Sequence, residues 1–123
     1  MADPKLLVVD DDAGVRRILR EIFTRAGYGV TEACDGAEAL TRIRDQKYDL
    51  ITMDLEMGRM DGVNAISVLK NETDSPVLVL SVHLTEANKT ELESRGIDAW
   101  LDKPFATAEL LAEAERLLSM GRK

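Results

Sequence analysis

Four short stretches of the chain carry residues that could do chemistry together. Asp10-Asp11-Asp12 follows one apolar run, Asp54 follows a second, Ser81 closes a third, and Lys103 comes directly after Ala99–Asp102. If Asp10, Asp11 and Asp54 share one cleft, their carboxylates repel one another and at least one has its pKa raised. A hard divalent cation removes that repulsion. Mg²⁺, or Mn²⁺ in its place, prefers oxygen ligands; Mg²⁺ keeps several waters and is commonly held by one or two carboxylates plus phosphate oxygens. A pocket loaded in this way can receive an anion that the bare acidic pocket would reject. Lys103 adds a second positive charge and Ser81 a hydroxyl donor. There a carboxylate can attack phosphorus and hold the phosphate as an acyl phosphate. The cation and the lysine would stabilise charge on the transferring oxygens. Asp54 is the best nucleophile candidate because it stands alone at the middle of the set, whereas Asp10 and Asp11 form a pair suited to the metal. Asp12 reads instead as a helix cap.

These residues meet only if the chain places them on one rim, and the hydrophobic pattern says that it does. Lys5–Asp10 is a short apolar run of strand type. Ala13–Ala26 follows with Val15, Ile18, Leu19, Ile22 and Phe23 at helical spacing, and Gly27 stops it. Tyr28–Ala33 alternates as a strand, Gly36–Gln46 is helical, and Asp49–Met53 is a third strand. A third helix covers Val63–Asn71. Pro76 opens a fourth strand over Val77–Val82. Thr85 caps a fourth helix to Arg95 whose apolar face is thin, essentially Ala87 and Leu92. Ala99–Asp102 is a fifth strand, and Thr107–Ser119 a last helix with Leu110, Leu111, Ala114, Leu117 and Leu118 in register. Strict alternation of strand and helix, with the first and fourth strands apolar nearly throughout, predicts a parallel, doubly wound α/β sheet. Ligands of such sheets bind beyond the carboxyl ends of the strands, where Asp10, Asp54, Ser81 and Lys103 all fall.

Composition narrows the classes. The chain has 123 residues, which predicts one domain over 1–123 with a core from about 5 to 119. A net charge of −7 argues against direct binding of nucleic acid or of an anionic membrane surface. No apolar run approaches the roughly 20 residues of a membrane helix, and the N-terminus lacks a signal peptide's apolar stretch, so a cytoplasmic site is the expectation. The lone cysteine, Cys34, reads as a small buried structural residue at a strand end.

Taken in order, Val8-Val9-Asp10-Asp11, Asp49 to Met57, Met60-Asp61-Gly62, Ser81 and Lys103-Pro104-Phe105 closely resemble the bacterial response-regulator receiver family of two-component signalling, the chemotaxis receiver included. The resemblance runs from about Lys5 to Leu118. It implies a flavodoxin-like (βα)5 fold with strand order 2-1-3-4-5. It implies Asp54 as phosphoacceptor, with Asp10, Asp11, Asp54 and the backbone carbonyl of Glu56 around Mg²⁺. Lys103 would pair with the phosphate and Ser81 would move toward it. Trp100 matches an aromatic that reorients with that movement, and Pro104 stands where a cis peptide bond is common. The phosphate would come from a sensor histidine kinase or a histidine phosphotransfer protein. The output would be a change of the fourth helix, fifth strand and fifth helix, roughly Thr85 to Ser119, that binds a downstream protein or a second copy of the chain. The chain would be either a complete single-domain regulator or an excised receiver.

The departures from the family pattern bear on rate. Met57-Gly58-Arg59-Met60-Asp61-Gly62 lacks the proline common after the acceptor strand. Val82 replaces the commoner Ala or Gly after Ser81, and Trp100 is larger than the usual Tyr or Phe. In the family, the positions that Glu56 and His83 occupy flank the phosphoryl group. Together these predict slow autodephosphorylation. Three other functions are distinguishable. A phosphatase of the haloacid dehalogenase kind would carry its nucleophile on the first strand. A flavin phosphate site would want Ser, Thr or Gly there rather than Asp10-Asp11-Asp12. A degenerate receiver acting only as an interaction platform would not bind Mg²⁺.

Overall fold

The structure, a computed structural model, describes residues 3–54, 61–81 and 85–120, with residues 61–64 described by their backbone alone. Strands β1 (Lys5–Val9), β2 (Gly29–Ala33), β3 (Leu50–Asp54), β4 (Val77–Ser81) and β5 (Ala99–Asp102) alternate with helices α1 (Ala13–Arg25), α2 (Gly36–Asp45), α3 (Asp61–Glu72), α4 (Glu86–Ser94) and α5 (Thr107–Met120). The strands form one parallel sheet in the order β2-β1-β3-β4-β5. This is the doubly wound sheet that the residue pattern predicts, in the flavodoxin-like strand order that the family resemblance implies.

Period-two alternation sorts each strand's side chains into two cores. Leu7, Val9, Ile51, Met53, Val77 and Val79 pack with Ala39 of α2, Ile66 and Leu69 of α3 and Leu92 of α4. Leu6, Val8, Leu50, Leu78 and Leu80 face the other way, onto Leu19 and Phe23 of α1 and Leu110, Ala114, Leu117 and Leu118 of α5. The central strands β3 and β4 are buried throughout, because helices cover both of their faces.

Helix ends fix where the strands begin. Asp12 caps α1 by accepting from the amides of Gly14 and Val15, and Thr85 caps α4 by accepting from Asn88. Two helices end in the same way. Gly27 (φ 97°) follows α1 and Gly96 (φ 99°) follows α4. The amides of Gly27 and Tyr28 bond the carbonyls of Thr24 and Phe23, and those of Gly96 and Ile97 bond Glu93 and Leu92. Each is a Schellman close with its apolar contact, Tyr28 on Phe23 and Ile97 beside Leu92. Tyr28 therefore closes α1 rather than opening β2, which starts at Gly29.

Two sequence expectations change. Cys34 is exposed, not buried. It lies one residue past β2, in the turn where Asp35 caps α2 and Glu38 accepts from the Cys34 amide. Capping demands at that turn outrank burial of a small thiol. In α4, Ala87 is exposed, so Leu92 alone anchors the helix among its buried residues.

Candidate functional site

The site is built where β1 and β3 run out. Although β1 ends at Val9, Asp10 continues the ladder for one residue by donating its amide to Ala33 at 3.1 Å. The chain then turns through Asp11 into the α1 cap. That turn draws on Asp10 twice more. One carboxylate oxygen, Oδ1, accepts from the amide of Asp12 at 2.9 Å, and the backbone carbonyl accepts from the Arg16 guanidinium at 2.5 Å. The other oxygen, Oδ2, is buried and has no hydrogen-bond partner among the described residues.

Asp54 is the last residue of β3, in the middle of the sheet, beside Leu80 of β4 and one step beyond the pairing of Met53 with Val9. It is buried, and its Oδ2 accepts from Lys103 Nζ at 3.1 Å. Lys103 lies one residue beyond β5 and is held in place by its own amide, which donates to the Ser81 carbonyl at 2.7 Å. The Lys103–Pro104 peptide bond is cis. Ser81 is buried at the end of β4, in register with Asp102. Ladder pairing thus brings four strand ends to one rim.

The result is a compact acidic cluster. One carboxylate oxygen from each of Asp10, Asp11 and Asp54 lies within 4.8 Å of the others. Asp10 and Asp54 are buried and Asp11 is exposed, so the cluster opens to solvent on one side. Burial pushes the Asp10 carboxyl up to about 7. The Asp12 amide opposes that rise, neighbouring Asp54 adds to it, and Lys103 offsets part of it. A buried carboxylate oxygen with no donor, beside two further carboxylates, is a donor set that suits a hard divalent cation. The residues present fit Mg²⁺ or Mn²⁺, with oxygens from Asp10, Asp11 and Asp54.

The response regulator receiver domain family matches residues 6–115. The chain belongs to that family. Among curated proteins, this receiver is 34% identical over 116 residues to the transcriptional regulatory protein ResD of Bacillus subtilis, covering 94% of this chain and 48% of ResD. It is 37% identical over 119 residues to PrrA of Mycobacterium leprae, with 96% and 51% covered. The chain thus spans about half the length of the curated relatives it matches. Among solved structures, the Vibrio cholerae chemotaxis protein CheY4 superposes with a TM-score of 0.87 at 31% identity, covering 94% of this chain and 99% of CheY4. The receiver domain of a Francisella response regulator superposes at 0.89 and 35%, covering 98% and 100%.

The sequence-predicted residues of the receiver fall into three groups. Asp10, Asp11, Asp54 and Lys103 converge on the acidic cluster, with Ser81 buried at the adjoining strand end. Trp100 lies on β5 in register with Val79, half-buried against the core that α4 shares, with Lys89 Nζ 5.4 Å from its ring centroid. Glu56, Val82 and His83 lie outside the described residues. Sequence reasoning missed Arg16. Its Nε bonds Glu32 Oε1 at 3.1 Å while its fork reaches the Asp10 carbonyl, and Arg20 grips Glu32 Oε2 at 2.8 Å. The hydrogen bond from Arg20 holds Glu32 below the usual carboxylate range, and Arg16 adds to that against the cost of burial. The only trace in the sequence is a pair of arginines four apart on one helix face, with an acid on the next strand.

Proposed function

We propose that this receiver is a phosphorylation switch that accepts a phosphoryl group on Asp54 from a phosphohistidine of a sensor kinase or phosphotransfer protein. The observation that carries the reading is the pairing of Asp54 Oδ2 with Lys103 Nζ at 3.1 Å inside the same cluster as Asp10 and Asp11. A nucleophilic carboxylate, a fixed cation and a cation-binding acidic pair are the parts that in-line phosphoryl transfer needs.

In the transfer, an Asp54 oxygen forms a bond to phosphorus as the bond from phosphorus to the donor imidazole nitrogen breaks. Lys103 is already at the Asp54 carboxylate and turns to the incoming phosphoryl oxygens. Asp10, Asp11 and Asp54 would hold Mg²⁺ or Mn²⁺ through carboxylate oxygens; the family resemblance adds the backbone carbonyl of Glu56, which lies outside the described residues. When bound, that ion supplies positive charge that offsets the carboxylates and the transferring oxygens. Ser81 offers its hydroxyl to the phosphoryl group from the end of β4. The chain catalyses its own phosphotransfer and a slow loss of phosphate to water, and is not a turnover enzyme. The family resemblance assigns the tuning of that lifetime to Val82, Glu56 and His83, which lie outside the described residues. The output is a changed surface on α4, β5 and α5, read through Trp100, that takes a downstream protein or a second copy.

The test is incubation with Mg²⁺ and a small acyl phosphate, followed by mass spectrometry. Wild type is expected to gain one phosphoryl group only when the metal is present, and Asp54→Asn none. An adduct retained in the variant, or formed equally in chelator, overturns the reading.

A further inference from the structure

Asp10 presents a single free ligand atom, and the reason is how completely the rest of the residue is tied down. Its amide is bound to Ala33, its Oδ1 to the Asp12 amide and its carbonyl to Arg16, which leaves only Oδ2 for the cluster. Two of those ties are backbone donors and come with the sheet and the helix cap. The third comes from a side chain, and it acts where β1 has ended and the ladder no longer holds the carbonyl.

That side chain is itself fixed. Arg16 is mostly buried, its Nε is committed to Glu32, and Glu32 is clamped from its other oxygen by Arg20 one turn further along α1. Glu32 sits opposite Val8 on β2, so the chain of contacts runs from β2 through α1 to the terminus of β1. A guanidinium can serve both partners because its donors form a rigid planar fork; a lysine ammonium is a single point on a flexible stem.

We propose that Arg16, oriented by Glu32 and Arg20, is a positioning residue for the cation site: it pins the Asp10 backbone so that Oδ2 faces Asp11 and Asp54. This rests on the phosphoryl-transfer reading, since it concerns the same cluster. Partners behind a metal ligand matter to affinity because they fix the ligand's orientation, and their loss commonly costs about 10–100-fold in metal binding. Here the effect runs through the ligand's backbone rather than its carboxylate.

The experiment measures Mg²⁺ binding by calorimetry on metal-free wild type, Arg16→Lys and Glu32→Gln, alongside thermal unfolding and the rate of adduct formation from an acyl phosphate. Arg16→Lys is expected to weaken Mg²⁺ binding by about 10-fold or more, and Glu32→Gln to weaken it in the same direction by less. The adduct rate of each should fall at low Mg²⁺ and recover at saturating Mg²⁺. A clasp that merely holds α1 to β2 would lower the melting temperature and leave Mg²⁺ affinity where it was; Mg²⁺ affinity within about twofold of wild type in folded Arg16→Lys therefore overturns the proposal. If Arg16→Lys does not fold, unchanged affinity in Glu32→Gln overturns it. Wild type that binds no Mg²⁺ and takes up no phosphate defeats the underlying reading instead, so the two failures are distinguishable.

Discussion

Asp10 is the residue where the demands of the site and of the fold pull in opposite directions. Burial at the end of β1 disfavours its charged form, yet a metal ligand must be ionised. Its carboxyl is held up to about 7 against an ordinary 3.8. The unfolded chain gives up this proton near pH 4, whereas the folded chain keeps it to about pH 7. The folded state therefore binds more protons across that window. By linkage the metal-free protein loses stability as pH rises from about 4 to about 7 and levels off above it, the reverse of a salt-bridged carboxylate. Thermal unfolding of the metal-free protein from pH 5 to 8 should show that fall, and Mg²⁺ should abolish most of it above pH 7 by binding the ionised form. A melting temperature that rises over the same range in chelator would refute the assignment. Sequence alone located Asp10, Asp11, Asp54 and Lys103, because acidic and basic residues just past apolar runs are visible without coordinates. It could not locate Arg16, whose partner at the site is a backbone carbonyl and so carries no residue type. Nor could it separate the two Asp10 oxygens, since which one is free depends on the turn into α1.

At the scale of elements, legibility tracked the strength of the apolar stripe. In α5, Leu110, Ala114, Leu117 and Leu118 are all buried, as their spacing requires. In α1 the stripe is broader than the buried face: Leu19 and Phe23 are buried, but Ile18, read as part of the same stripe, is 60% exposed. The cap and stop residues were as informative as the stripes, with Asp12, Thr85 and Gly27 each where backbone groups need partners or a positive φ. The fourth helix is the weak element. Beyond Leu92 its ties to the body include Arg95 to Ser67 of α3 at 2.9 Å and Lys89 above Trp100 of β5. The second is a cation–π contact on a partly exposed ring, worth about 0.5–1 kcal/mol. Since Trp100 is the only tryptophan in the chain, its fluorescence reports this contact without interference. Lys89→Met should shift Trp100 emission and raise its quenching by acrylamide, with a stability loss of about 0.5–1 kcal/mol. Unchanged emission and quenching would mean that Lys89 does not hold the ring.

The whole molecule joins a firmly packed sheet to helices held with different firmness, and the site lies at the carboxyl ends of the strands. The acidic pair directly follows β1, whose side chains enter both cores, so a charge added at Asp54 would meet little give on that side. On the other side Lys103 bonds Asp54 through its side chain and Ser81 through its amide, and it directly follows β5. On the proposed reading a phosphoryl group would add charge and strong acceptor oxygens at Asp54, beside Lys103 and near the end of β4 where Ser81 lies. Movement of either residue would be passed to the ends of β4 and β5, and then to whatever is least well anchored there. That is α4, with one buried residue, rather than α5, with four. The sequence predicted a responsive surface from Thr85 to Ser119; on the proposed reading α4 and β5 would respond first, because α5 buries more of its residues. Hydrogen exchange with Mg²⁺ and beryllofluoride as a phosphoryl mimic tests the narrower form. Amides of Glu86–Ser94 and Ala99–Asp102 should change protection by about tenfold or more if the coupling is 1.4 kcal/mol or larger, a size usual for coupled sites. The buried turns of α1 around Leu19 and Phe23, and those of α5 around Leu110 and Ala114, should stay within about twofold, because their opening is tied to the core as a whole. If protection changed equally in α1 and α5, the mimic would be stabilising the fold globally and not shifting a surface. If it changed nowhere beyond the rim, Asp54 would carry phosphate without passing the event to α4.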